Sequence, residues 1–535
     1  MTATEITPYR SGVGPGRDGF GQLLRAEWTK VRTVRGWIIG LVVAALLTVL
    51  FAVLTAVGGT MSCSNSPTGP TLTGAACRQT PPLGPDGQPV SDSFYFVHQS
   101  LAGNGSITVR LTGLTGKYSA NGAVQAGTDV SGMTSGTQPW SKAGIIIKQS
   151  TTPGSPYAAM TGTGSNGVRM QDNYTHDIAG APGTATAAAP QWLRLTRSGD
   201  TVTGYDSTDG AHWTEVGRVT LPGLPAIVQA GMFAASPDYA VTSQALGGGT
   251  TRGGPTLATG AFDNVSLQSS APSGSWTGTG IGGGGPAAMG PQAEEFQQSG
   301  GTFTVTGTGD IAPAANPSTG TPAERSLVGV FAGLIAIIVV AALFITAEYR
   351  RGLIRLTLAA SPRRGRVLAA KAVVIGTAAF VVGLAAGAVA LPLGSHLAYS
   401  HGDYLLPVSA LTDARLIVGT AAIFAVVAVL ALAVGTLLRR SAATVTIVIV
   451  VIVLPYILST ASVLPAGIAE WLTRLTPAAG FALQQTLVAY PQVTAGYTPN
   501  NGYFPLSPWA GFGVLCAYAA LALGLALRQL HRRDA

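Results

Sequence analysis

Charge is thin in this chain: Asp, Glu, Lys and Arg together make up 10% of its 535 residues, and its mean hydropathy is positive, a profile of integral membrane proteins. Ionisable residues are absent altogether from six apolar runs, Trp37–Val57, Leu327–Thr346, Ala372–Leu391, Leu416–Leu438, Ser441–Val463 and Trp509–Leu527. Each run is about 19 residues or longer, enough to cross roughly 30 Å of hydrocarbon as a helix. Because ionisable groups within a bilayer mark proton relays and ion pathways, their absence argues against a proton-driven carrier. The chain also lacks a glycine-rich loop ending in Gly-Lys-Ser or Gly-Lys-Thr, so it holds no phosphate cradle of its own. Gly113–Tyr118 is too short and ends in Tyr where Ser or Thr is needed.

The net charge of +8 raises the question of a nucleic-acid partner. Its distribution answers against one. Between Thr60 and Ser326 lie 11 of the 31 Lys and Arg and 15 of the 23 Asp and Glu, which leaves 20 basic against 8 acidic residues elsewhere. With the N-terminus in the cytoplasm, Arg25, Lys30, Arg32, Arg35, the cluster Arg350 to Lys371, Arg439, Arg440, Arg528, Arg532 and Arg533 all fall on one side. The opposite short loops hold only Arg415 and Arg474. Cytoplasmic loops collect Lys and Arg, so both termini are expected inside and the large insert outside. The first apolar run is longer than the 7–15 residues of a signal-peptide core, and is read as a retained span.

Three cysteines are present. Cys516 lies in the last run, whereas Cys63 and Cys77 follow the first and are candidates for a disulfide at the neck of the insert, with two unpaired thiols as the alternative. The scarcity of Lys beside Arg, with abundant Ala and Gly, points to a GC-rich bacterial genome.

The insert, residues 91–310, is built of short alternating runs separated by Gly, Asn, Asp and Pro, the pattern of an antiparallel sandwich. Strands are expected at Ser93–His98, Ser106–Leu111, Ala143–Gln149, Tyr157–Gly162, Gly167–Gln171, Trp192–Arg197, Val202–Ser207, Trp213–Val219, Ile227–Ala235 and Ala261–Leu267, with a tight hairpin at Asp209–Gly210. Residues 59–90 and 311–326 read as linkers, as does the Gly-rich stretch 270–290. The stretches Ser91–Gln99, Gly105–Arg110, Trp140–Lys148, Trp192–Arg197 and Phe262–Val265 resemble bacterial modules of the concanavalin A-like lectin/glucanase superfamily. That resemblance implies a jelly-roll fold. The segment Gly300–Asp310, which comes first in such modules, comes last here, so the expectation is a circular permutation or else an independent flexible segment Ser270–Thr321. It also makes Trp140, Tyr157, Tyr174 and Trp213 candidate glycan-stacking residues, although such aromatics more often belong to a sandwich core. Cleavage of a glycoside needs paired carboxylates, and the insert has no strand-borne pair, so binding outranks hydrolysis. Asp172, Asp177, Asp206 and Asp209 have Ca²⁺-ligand chemistry, but their positions suit turns better. No metal is expected.

Outside the insert, Phe20, Leu23, Leu24, Trp28, Val31 and Val34 recur at helical spacing, with Gln22, Arg25, Glu27, Lys30 and Arg32 on the other face. This predicts an interfacial amphipathic helix over 20–35, with Leu24, Trp28 and Lys30 at its surface, after a disordered segment 1–19. The first span then covers 36–58. Helices two to six occupy 327–535, and Gly383 and Gly387 allow close packing. The loop 347–371 carries an amphipathic piece, Tyr349–Ala360, ended by Ser361–Pro362.

The order of residues from Thr346 to Lys371 resembles the cytoplasmic loop of actinobacterial type-2 ABC transporter permeases. The helix before the first span, the six spans and the amphipathic stretch Ile468–Phe481 match the same family. The whole is then a mixed architecture, a six-helix transmembrane domain with an all-β lectin-like sandwich inserted between its first and second spans. The resemblance implies a non-catalytic permease subunit of an exporter in a bacterial plasma membrane. It carries no cofactor itself, and ATP-Mg sits in a separate cytoplasmic ABC ATPase. Glu348, Tyr349, Arg350, Arg351, Arg355, Arg363, Arg364 and Arg366 are expected to form the loop that couples to that ATPase. A second permease half, the lipid bilayer and a cell-wall glycan are the other expected partners. The competing reading is a membrane-anchored glycan-binding or sensing protein without transport activity.

Overall fold

The computed structural model describes residues 19–532 apart from 59–61, 65–70, 79, 120–132, 246–247, 271–273, 283–294, 315–319, 361–362, 462–463 and 494–496. A short helix, α1 (Phe20–Thr33), turns at the extended Val34 into α2 (Arg35–Val57). The sheet region follows. The chain then returns to helix in α3 (Val330–Arg350), α4 (Leu353–Ala360), α5 (Arg364–Ser400), α6 (Ala410–Leu438), α7 (Ser441–Thr460), α8 (Ala466–Leu475) and α9 (Pro508–Arg532). Among the described residues, six helices are long and apolar enough to cross a membrane, and they coincide with the six runs read from the sequence.

Each expected strand of the insert is found. The main strands are β1 (Phe94–Ala102), β2 (Gly105–Tyr118), β3 (Lys142–Lys148), β4 (Tyr157–Thr163), β5 (Val168–Asp172), β6 (His176–Ala179), β7 (Gln191–Ser198), β8 (Thr201–Ser207), β9 (Thr214–Thr220), β10 (Ile227–Ala235), β11 (Thr256–Gln268), β12 (Thr277–Ile281), β13 (Glu295–Ser299) and β14 (Thr302–Gly307). One antiparallel sheet runs β6-β5-β4-β3-β10-β1-β12, the other β9-β8-β7-β2-β11-β14-β13 with the short Thr134–Ser135 on β2. Alternation along the strands turns Val97, Ile145 and Met232 of the first sheet and Ile107, Leu195 and Phe262 of the second into one buried core. The hairpin at Asp209–Gly210 forms as its residues require: Gly210 has φ +74°, and the Asp209 carboxylate accepts the N–H groups of Ala211 and His212.

The stretch 270–290, expected as a linker, contains β12, which pairs with β1. Trp276 beside it stands edge-on to Phe303 of β14 at 5.8 Å, and this apolar anchor holds a Gly-rich segment that its composition alone would leave loose. Ile311–Pro313 likewise pairs with Val90–Asp92 at the domain's neck.

His98 on β1 lies half-buried, its ring stacked on Phe96 at 4.7 Å and hydrogen-bonded to Gln229 and Thr279. Burial lowers its pKa from 6.5, and the Gln229 bond opposes burial only in part. A folded pKa below the unfolded one means that stability is present above 6.5 and is lost as pH falls through the folded value. Thermal melts of the whole protein in detergent should therefore show the sheet transition moving down between about pH 7 and 5. His98→Gln should flatten that slope, and an unchanged slope would remove His98 as its source.

Among the helices, Leu334, Phe344, Ile375, Phe424 and Val427 form the centre of the core. Gly383 is required there, because a Cβ would sit 2.8 Å from the Ala421 Cα of α6. At Gly387 the same Cβ would meet ordinary contacts of 3.5 Å, so that position tolerates a methyl group.

Candidate functional site

The loop between α3 and α5 is built by one backbone feature. Gly352 has φ +69°, a conformation open to glycine, and α3 stops there instead of running on as the amphipathic piece from Tyr349. Tyr349 and Arg350 thus belong to the last turn of α3, and the amphipathic piece is reduced to α4.

That last turn points Glu348 inward. Lys371 of α5 donates to Glu348 Oε1 at 2.6 Å and to Glu27 Oε2 of α1 at 2.8 Å. Lys30 donates to the same two side chains, at 2.8 Å to Glu27 Oε1 and 2.9 Å to Glu348 Oε1. Glu27 is 2% exposed, Glu348 4% and Lys371 0%, so three of the four charges are out of water. Two carboxylates balance two ammonium groups, and every charge has an opposite charge within hydrogen-bond distance, which is what burial of ions demands. Burial works against the charge on Lys30, and its bonds to Glu27 and Glu348 outweigh burial, so its pKa is raised. The four residues bolt α1, α3 and α5 together.

This corrects two sequence expectations. Glu348 does not face outward with the loop arginines, and Glu27 does not lie on the solvent face of the first helix. The side of α1 that packs inward carries Glu27 and Val31 with Leu24 partly buried, while Trp28 is exposed. Lys371 and Glu27 were missed as a pair because 344 residues separate them. A signal existed for one of them, since Glu27 lies three residues after Leu24 and four before Val31, on their face.

The outward groups are Arg350, Arg351, Arg363 and Arg366. Arg364 is half-buried and donates to the Leu530 carbonyl of α9 at 2.6 Å. The Arg355 side chain lies outside the described residues. On α4, Ile354 is buried while Leu353 and Leu356 are exposed, Leu356 at 69%. Tyr349 is half-buried, with the Arg439 guanidinium 5.0 Å from its ring centre. Two cavities open at this end, of about 680 Å³ around Tyr349, Arg350, Arg439 and Arg440 and about 490 Å³ around Arg363, Arg364, Arg366 and His531.

In the sheet domain Tyr157 and Tyr174 are each 1% exposed and meet edge to face at 4.8 Å, so neither ring offers a free face to a sugar. Tyr174 belongs to a buried polar knot: Asp92 Oδ2 accepts from Lys148 Nζ at 2.8 Å, Tyr174 OH at 2.7 Å and the Gly154 N–H at 2.7 Å. Burial lowers the Lys148 pKa and raises those of Tyr157 and Tyr174. Trp140 is also buried, with Arg169 at 5.5 Å from its ring. Trp213 keeps some exposed surface but carries the Arg194 guanidinium at 3.8 Å. The four aromatics thus do not converge on one surface. Asp172 pairs with His176, Asp177 with Arg169 and Gln171, and Asp206 accepts the Ala181 N–H. Among the described residues no group of three or more His, Cys, Asp or Glu is placed to hold a metal. Cys77 is disulfide-bonded, Cys516 is a free thiol, and the Cys63 side chain lies outside the described residues.

Among solved structures, the chain is similar to a functionally unknown protein from Saccharomyces cerevisiae, at 16% identity over 37% of this chain and 85% of that one, with a TM-score of 0.20. It is also similar to SCP-B, a member of the eqolisin family of peptidases, at 8% identity over 40% of this chain and 98% of that one, with a TM-score of 0.23. Scores at that level establish neither a shared fold nor a shared activity. No curated protein matches the chain. The family model described as ABC-2 family transporter protein matches residues 165–535, which takes in the later strands and every helix from α3 to α9. A multi-pass bundle with no phosphate cradle of its own is what a membrane permease component of an ABC transporter requires, and the chain belongs to the ABC-2 transporter family.

Proposed function

We propose that the protein is one permease half of an ATP-driven exporter, with both termini and α4 in the cytoplasm and the two-sheet domain outside. The observation that carries this reading is the two-sided build of the α3–α4–α5 connection. Its outer side offers exposed Leu353 and Leu356 among arginines, and its inner side is bolted to α1 through Glu27, Lys30, Glu348 and Lys371. A push on α4 by a closing ATPase therefore moves three helices together instead of bending a loop. The apolar pair supplies contact area, and the arginines steer the subunit and orient it. ATP-Mg binds in that partner, and a second permease half completes the path. The two-sheet domain is a glycan- or cargo-binding module, and of the four candidate aromatics only Trp213 has surface left for such contact.

Leu356→Asp tests the docking side. Placing a carboxylate at the centre of an apolar contact should cut copurification of the cognate ATP-binding subunit at least about tenfold, with the yield of folded permease unchanged. Equal copurification with the wild type would overturn α4 as the docking element. Cysteine labelling of the sheet domain in intact cells tests its sidedness independently, and labelling only after lysis would reverse the orientation.

A further inference from the structure

The larger cavity at the arginine-rich end lies where two turns meet, the α3–α4 turn at Arg350–Gly352 and the α6–α7 turn at Arg439–Arg440. We infer that it is a phosphate site, and that its occupant is the headgroup of an anionic membrane lipid. Its volume of about 680 Å³ is lined by Tyr349, Arg350, Ile354, Arg439, Arg440 and Ser441. Arg350, Arg439 and Arg440 all line it, and no carboxylate lines the cavity or pairs with any of the three among the described residues. The nearest acid, Glu348, is turned the other way and tied to Lys30 and Lys371.

Two buried donors wait in this cavity. Arg439 Nε and Tyr349 OH are both shielded from water and have no hydrogen-bond partner among the described residues. A ligand whose oxygens accept from both would satisfy two donors that the protein leaves unmet. The start of α7 adds to this, because its N-cap is Arg440 and no side chain caps its first N–H groups. Those groups carry the positive end of the helix dipole and suit phosphate oxygens. Arg439 is held at φ +57°, a strained conformation for a residue with a side chain, which keeps its guanidinium over Tyr349. A glycine would satisfy that backbone better, so something other than the turn calls for arginine here.

A free phosphate and a lipid phosphate share this chemistry. The lipid is favoured because the cavity sits at the ends of three apolar helices, α3, α6 and α7, each long enough to cross a membrane. The inference needs only that these helices cross a bilayer, and does not depend on the direction of transport.

Native mass spectrometry of the full chain in detergent, with phosphatidylglycerol and phosphatidylcholine of equal chain length, tests the site. The wild type should retain phosphatidylglycerol preferentially. Each arginine removed should weaken that retention about fivefold, so the double variant Arg439→Gly with Arg440→Gln should lose about 25-fold. Arg439→Gly suits the positive φ and should leave the melting temperature unchanged or raised, which separates loss of binding from loss of fold. Equal retention of both lipids, or undiminished phosphatidylglycerol binding by the double variant, overturns the inference. Displacement of the lipid by inorganic phosphate alone would overturn the lipid as occupant. Normal lipid binding with loss of the ATP-binding subunit would assign the cavity to subunit docking and overturn it too.

Discussion

Replacing Lys371 by methionine should destabilise the helical bundle by about 3–5 kcal/mol, the cost of stranding one side of a buried ion network. The methionine fills the same volume, so the effect isolates charge from packing. What remains is two buried carboxylates, Glu27 and Glu348, sharing Lys30, which is itself partly exposed. The triple variant Glu27→Gln, Glu348→Gln and Lys371→Met removes the stranded charges and should recover most of the loss, since neutral replacement of a buried ionic group is often close to harmless. Lys30→Met should cost less than Lys371→Met, because its side chain is 36% exposed and the pairs it makes are partly screened. Thermal denaturation in lipid nanodiscs reads all four proteins. The triple variant has a second use: if the network transmits force, it should be stable yet show ATP turnover by the partner that no longer responds to permease. A Lys371→Met protein within about 1 kcal/mol of wild type would mean that water reaches the network.

The second large effect is expected in the sheet domain. Asp92→Asn should cost about 3–5 kcal/mol, because it leaves the Lys148 ammonium buried without a counter-charge. Both side chains are fully buried, so no solvent rescues the unpaired group. Lys148 already has a folded pKa lowered from 10.5, chiefly by burial, and Asp92 is the group that opposes this. Without Asp92 the folded pKa falls further. Native protein then binds fewer protons than unfolded chain below 10.5, so stability is lost as pH falls through the folded value and regained as pH rises toward 10.5. The variant should melt higher at pH 9 than at pH 7 by more than the wild type does. The same slope in both proteins would show that Asp92 is not the partner that holds the charge.

Much of the architecture is legible in the sequence. Strand β7 has Leu193 and Leu195 alternating with Trp192 and Arg194, and an alternation of two admits one assignment of faces. The spans were equally plain, since an uncharged run of that length has few other uses. Legibility failed where a residue answers to a distant partner. Glycine-rich 270–290 looked like a linker because its strand is held by β1 and by Phe303, neither of them near in sequence. Tyr157 and Tyr174 read as core more readily than as sugar platforms, and the knot with Asp92 and Lys148 places Tyr174 in the core. Glu348 carries the same charge whether it faces a partner subunit or the bundle interior. Its direction follows from the face of α3 on which it stands, the face that packs against Lys371 of α5.

Local chemistry by itself determined where this chain enters hydrocarbon, which segment leaves it as sheet, and on which end its arginines collect, because span length, strand alternation and charge bias are properties of neighbouring residues. Tertiary structure alone decided which charges meet. Glu27, Lys30, Glu348 and Lys371 come from three helices, and a buried ion is tolerated only where folding brings its counter-ion within about 3 Å.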